Sequence, residues 1–132
     1  MDFIFRLVEF LPTKVTLNAP LSVGLLTDKA SSISIRQTPS STNNRYLNKD
    51  KIELFSFQIS VKDTDHKKAI NTIQSIADVL DDLESDDIKS NDDSFYFIDC
   101  STYVSPNFVE KTDHNEYIYT ALFNAELERR AV

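Results

Sequence analysis

The sequence predicts an α+β domain in which an antiparallel or mixed β-sheet is backed by two α-helices. Two patterns carry that reading. Phe55, Phe57, Ile59 and Val61 alternate with Ser56, Gln58, Ser60 and Lys62, the period of a strand with one buried face. Directly afterwards Ala69, Ile70, Ile73, Ile76, Ala77, Leu80 and Leu83 recur at helical spacing and line one face of a long helix. A chain of 132 residues is long enough to bury a core without staples, so one domain over residues 1–132 is expected.

The elements follow in order. Ile4, Leu7, Val8 and Leu11 space out a short first helix, with Asp2 placed to cap it and Pro12 marking its expected end. Residues 21–26 are apolar enough for a short strand. Residues 31–36 read as a half-buried strand, Ile33 and Ile35 on one side and Ser32, Ser34 and Arg36 on the other. Residues 37–51 are rich in Ser, Thr, Asn and charge, and are expected to form a long mobile loop, either functional or an idle tip. The main strand spans 52–62 and the main helix 65–83, started by Asp63 or Asp65. After an acidic loop at 85–93 comes a strand at 95–104, with Tyr96, Ile98, Cys100, Thr102 and Val104 on one face and Phe95, Phe97 and Tyr103 on the other. A turn region with Pro106 is expected at 105–115. In the last strand Tyr117, Tyr119, Ala121, Phe123, Ala125 and Leu127 oppose Ile118, Thr120 and Leu122. Both final strands are apolar on two faces, which calls for helices on both sides or for a partner subunit covering one.

Composition excludes much chemistry. Gly24 is the sole glycine, so the glycine-rich phosphate cradles and the GxSxG elbow are excluded. Cys100 is the sole cysteine and reads as a small buried hydrophobe; it allows neither an internal disulfide nor a cysteine metal cluster. His66 and His114 are too few and too far apart for a histidine metal site, and His66 is expected on the surface beside the helix cap. The acids at 81–93 lack the spacing and turn glycine of a calcium loop. No cofactor, metal or catalytic residue is therefore expected. Asp63, Asp65 and Asp99 are the carboxylates a small enzyme would have to use, Asp99 being the one expected to be half-buried.

The start of the chain has neither the basic nor the continuous apolar region of a signal segment, and no stretch suits a membrane span; a cytosolic product is expected. Eight acids and one base fall between residues 78 and 93, which accounts for the whole formal charge of -7 and leaves 13 acids and 13 bases elsewhere. The patch is either a solvated helix end or a face for a basic partner. Cations cluster only around the long loop, at Arg36, Arg45, Lys49 and Lys51 with Tyr46 among them, which suits either a negative partner surface or plain solvation.

A family resemblance rests on the run Ser34-Ile35-Arg36-Gln37-Thr38-Pro39-Ser40, on Arg45-Tyr46-Leu47, on the Phe55 to Lys62 strand and on the helix beginning near Lys68, in that order. The chain resembles the minor capsid proteins of tailed phages and prophages of Gram-positive bacteria, a group similar to the tail terminators of long non-contractile tails, the lambda type. The resemblance spans roughly residues 3–127; the acidic tract and the Arg129-Arg130 tail fall outside its pattern. It implies an α+β subunit of a homo-hexameric ring that caps the tail tube and meets the major tail tube protein and the head-completion proteins. It also implies a place in the virion at the head–tail junction after assembly in the host cytoplasm, with DNA passing through unbound. The candidate interface residues are Arg36, Pro39, Arg45, Tyr46 and Lys49. Two other readings stay open: a small dimeric interaction or regulatory domain of ferredoxin-like character, and a small carboxylate enzyme.

Overall fold

Alternation in the central strand fixes which face of the sheet is buried, and everything else packs to that face. A computed structural model describes residues 2–39 and 52–129. In chain order the elements are α1 (Phe3–Lys14), β1 (Leu21–Val23), β2 (Ser32–Thr38), β3 (Ile52–Asp63), α2 (His66–Asp81), β4 (Phe95–Lys111) and β5 (Tyr117–Arg129). The strands form one five-stranded sheet ordered β1-β2-β3-β5-β4, with β1 parallel to β2 and the other pairs antiparallel. The sheet is thus mixed, and with its two helices the fold is α+β.

Phe57, Ile59 and Val61 of β3 and Ala121, Phe123, Ala125 and Leu127 of β5 are fully buried on the same face. On that face α1 inserts Phe3, whose ring lies 5.1 to 6.0 Å from the rings of Phe55, Phe57, Phe95 and Phe97. Ala69, Ile73, Ile76 and Leu80 of α2 join the same core. Withdrawing a phenylalanine such as Phe57 from water is worth roughly 2 to 3 kcal/mol, so the row of rings under α1 dominates this end of the core. The helices do not sandwich the sheet: among the described residues the second face, with Gln58, Ser60, Thr120, Leu122 and Asn124, carries no helix. Of the two expected ways of covering two-sided strands, helices on both sides is not the one adopted.

The two central elements match their expected spans closely, and Asp65 caps α2 by accepting from the Lys68 N–H at 3.2 Å. Other boundaries differ. The first helix does not stop at Pro12 but runs to Lys14, because a proline forfeits only its own donor there and Val15 still closes onto the Leu11 carbonyl at 3.0 Å. Asp2 makes no cap; its carboxylate accepts instead from the Ser90 hydroxyl and the Asn91 N–H, tying the helix start to the acidic segment. The early strand is only three residues long and ends at Gly24, whose φ of +107° belongs to glycine territory.

In β2 both faces are buried over Ser32 to Ile35, so it is not half-buried as its alternation suggested, and it continues through Gln37 and Thr38, residues expected in the loop. The stripe of α2 is shifted: Ile70 is 40% exposed while Thr72 is buried. The largest correction concerns β4. It does not turn at 105–115 but extends through Pro106 to Lys111, and its register slips at four places. The first slip, between Phe97 and Asp99, reverses the side-chain parity, so Cys100 pairs with Ala125 and shares the core with Phe95 and Phe97.

Candidate functional site

Pairing leaves two edges, and they are unequal. β1 is three residues long, whereas β4 offers seventeen. The start of the β4 edge is shielded, since Lys89 bridges to Tyr96 from the acidic segment. Beyond Cys100 no described strand lies beside it. There the strand leaves the core, and Tyr103 is 67% exposed, Phe108 51%, Val109 51% and Val104 37%. Exposed aromatic and branched residues side by side are what a protein interface is made of.

The same strand is poorly suited to open-ended sheet extension. Register slips at Val104, Asn107 and Glu110 break the row of backbone donors and acceptors, and Pro106 removes one donor altogether. The slips explain why a proline is tolerated here, on an edge and between paired positions. What β4 presents is therefore a side-chain surface rather than a free ladder.

At the far end this surface is held rigid by aromatic packing. The His66 ring stacks on Tyr117 at 4.1 Å with a 3° interplanar angle, and its Nε2 lies 2.7 Å from the Tyr119 hydroxyl. Phe108 meets Tyr119 edge to face at 5.5 Å, and the Lys111 ammonium sits 5.3 Å from the Tyr117 ring centre. His66 is exposed beside the cap, as its position suggested, and it adds a polar and aromatic link between α2 and β5 to their shared core. The pairing of His66 with Tyr117 and Tyr119 was not legible, because fifty or more residues separate them.

Of the sequence-predicted interface residues, the described part contains Arg36 and Pro39. Arg36 is exposed on the helix-free face and donates twice to the Gln58 Oε1, at 3.0 and 2.8 Å. Pro39 is exposed at the end of β2. Pairing puts Arg36, Gln58, Leu122 and Val104 in one row across four strands, so Arg36 shares the helix-free face with Val104 three strands away. Phe108, by contrast, pairs with Tyr119 and lies on the helix-bearing face beside His66. Arg45, Tyr46 and Lys49 lie outside the described residues.

The carboxylates have structural work. Asp63, not Asp99, is the buried one: it is 4% exposed and accepts from the Asn18 amide, the Ser31 hydroxyl and the Asp65 N–H, while Asp99 is exposed because of the slip beside it. Lys62 and Glu116, each 6% exposed, form a buried ion pair at 3.7 Å; the Lys62 ammonium also donates to the Thr27 carbonyl and Glu116 accepts from the Thr112 hydroxyl. Among the described residues no three His, Cys, Asp or Glu side chains converge as metal ligands would, and no helix is long and apolar enough to cross a membrane.

A family model described as bacteriophage tail terminator protein matches residues 13–129, which takes in β1 to β5 and α2. No curated protein matches the chain.

Proposed function

The chain belongs to the bacteriophage tail terminator family, which makes it a structural protein of the phage tail, and from that premise we propose that it is the subunit of a homo-hexameric ring. The ring caps the tail tube at full length and joins it to the head-completion proteins, in the virion at the head–tail junction. The observation that carries the reading is the unshielded stretch of β4 with Tyr103, Val104, Phe108 and Val109. A chain with this much exposed aromatic surface on one edge, and a short edge on the other, is built to be completed by a neighbour. Closed rings arise when two different patches of one subunit meet repeatedly around an axis. Within this reading Arg36 and Pro39, at the other side of the sheet, contact the adjacent subunit or the tube, and DNA passes the ring without specific binding. The net negative charge suits passage, since clustered cations would hold a duplex.

The test is assembly of a Tyr103→Ser, Phe108→Ser double variant with tail tube protein present. Both residues are more than half exposed, so the fold and its melting temperature are expected to stay close to wild type. The mass measured in solution is expected to fall from ring to monomer, and tails are expected to stay unjoined. A variant that still forms rings and joins heads to tails would overturn the role of β4. A symmetric dimer that never grows larger would favour an interaction domain instead.

A further inference from the structure

We propose that a groove along the N-terminal half of α2 receives the acidic segment of a neighbouring copy of this chain, so that consecutive subunits of the ring are joined head to tail through charge. The inference rests on the ring reading above and names the surfaces that meet.

The groove has a volume of about 450 Å³ and runs between residues 16–18 and α2, with Thr16, Lys67, Lys68, Asn71 and Ser75 along it. Lys67 and Lys68 are exposed and form no salt bridge among the described residues; the charge of Lys68 also acts on the buried Asp63, which leaves Lys67 as the freer of the two. The Asp65 carboxylate at the mouth is already committed to capping the helix. At the opposite end α2 finishes in Asp78, Asp81 and Asp82, followed by Glu84, Asp86 and Asp87. Not all of these are available: Asp81 accepts from the Thr102 N–H and hydroxyl, and Asp87 from the Glu84 N–H. Glu84 and Asp86 are exposed and their carboxylates accept no hydrogen bond among the described residues.

These charges run against the helix they sit on. A helix favours acids in its first turn and bases in its last, whereas α2 has no acid in the first turn and no base in the last. The two ends cannot relieve each other within one subunit. They are about 24 Å apart along a sixteen-residue helix, well beyond the ~8 Å screening length at physiological salt. Within one subunit Asp81 is used to hold Thr102 and Lys68 acts on the buried Asp63. Lys67, Glu84 and Asp86 have no such partner among the described residues, and a contact between copies would use them. The arrangement supplies two different, mutually attractive patches on one subunit, which is what a closing ring requires. The lysines also border the aromatic surface. His66 opens the same helix, and its ring is 6.4 Å from that of Phe108, so a charged rim adjoins an apolar centre, the usual anatomy of an interface.

Two charge-reversed proteins test this. One carries Lys67→Glu with Lys68→Glu, the other Glu84→Lys with Asp86→Lys, all at exposed positions, with folding checked by circular dichroism. Each alone places like charges at every junction, and self-association is expected to weaken at least about tenfold. Mixed in equal amounts, every junction of an alternating ring becomes attractive again, and the wild-type ring mass is expected to return. If either reversal alone assembles like wild type, or if the mixture does not recover, the inference is overturned while the ring reading stands. If the wild-type chain forms no ring even with tail tube protein present, both are overturned.

Discussion

At the scale of single residues, Asp63 links sequence to stability most directly. Burial pushes its carboxyl toward the neutral form. The Asn18, Asp65 and Ser31 donors and the charge of Lys68 outweigh that and hold its pKa below the ordinary value of 3.8. A carboxylate favoured in the folded chain adds stability that is complete above the unfolded value and is lost as pH falls through the lower folded one. Urea denaturation is therefore expected to show stability declining as pH drops below about 4. Asp63→Asn is expected to lower stability at pH 7 and to flatten that decline; an unchanged pH slope would refute the assignment. None of these partners could be read from the sequence. Asn18, Ser31 and Asp63 each sit in a turn or at a strand end, where polar residues look solvated. The same holds for Lys62 and Glu116: a lysine closing a strand and a glutamate in a turn gave no sign of pairing across 54 positions. Local pattern reveals burial of apolar groups; it is silent on which polar groups meet.

At the scale of elements, β3 and α2 were legible because period and boundary signals agree in them. Asp65 stands where a cap belongs, and Asp65→Ala is expected to cost about 1 kcal/mol in denaturation midpoint experiments, with Asp65→Asn retaining most of the stability. β4 was legible only in its first half. Alternation holds while the register holds; the slip beside Asp99 inverts the assignments of Cys100 and Thr102, and the next slip, before Val104, reverses the parity again. Pro106 is a strong turn signal in a paired strand and a weak one on an edge. The sequence does not say which strand lies at the edge. The candidate surface was hidden for the same reason: Tyr103, Phe108 and Val109 fall in or beside the stretch expected to turn. What pointed toward it was the aromatic content of both faces of the last strands, and the demand for a partner that followed.

At the scale of the molecule the described residues are arranged one-sidedly: two helices on one face of a mixed sheet, a hydrogen-bonded polar face opposite, one short edge and one long edge. The α+β architecture and the family both followed from element order, which long-range pairing does not disturb. The inter-subunit surfaces did not, since they depend on strand order and on helix placement. One buried group gives a way to watch assembly. Cys100 is 5% exposed, and burial, aided by the negative charges of Asp81 and Asp99, pushes its thiol up to about 12. It is expected to ignore a thiol reagent at neutral pH until the chain is denatured; rapid labelling of the native protein would contradict its placement. A chemically silent native sulfur leaves the surface free for a reporter. A fluorophore attached through Val109→Cys would be the only dye on each subunit, and its self-quenching would time the moment at which neighbours close around the tube.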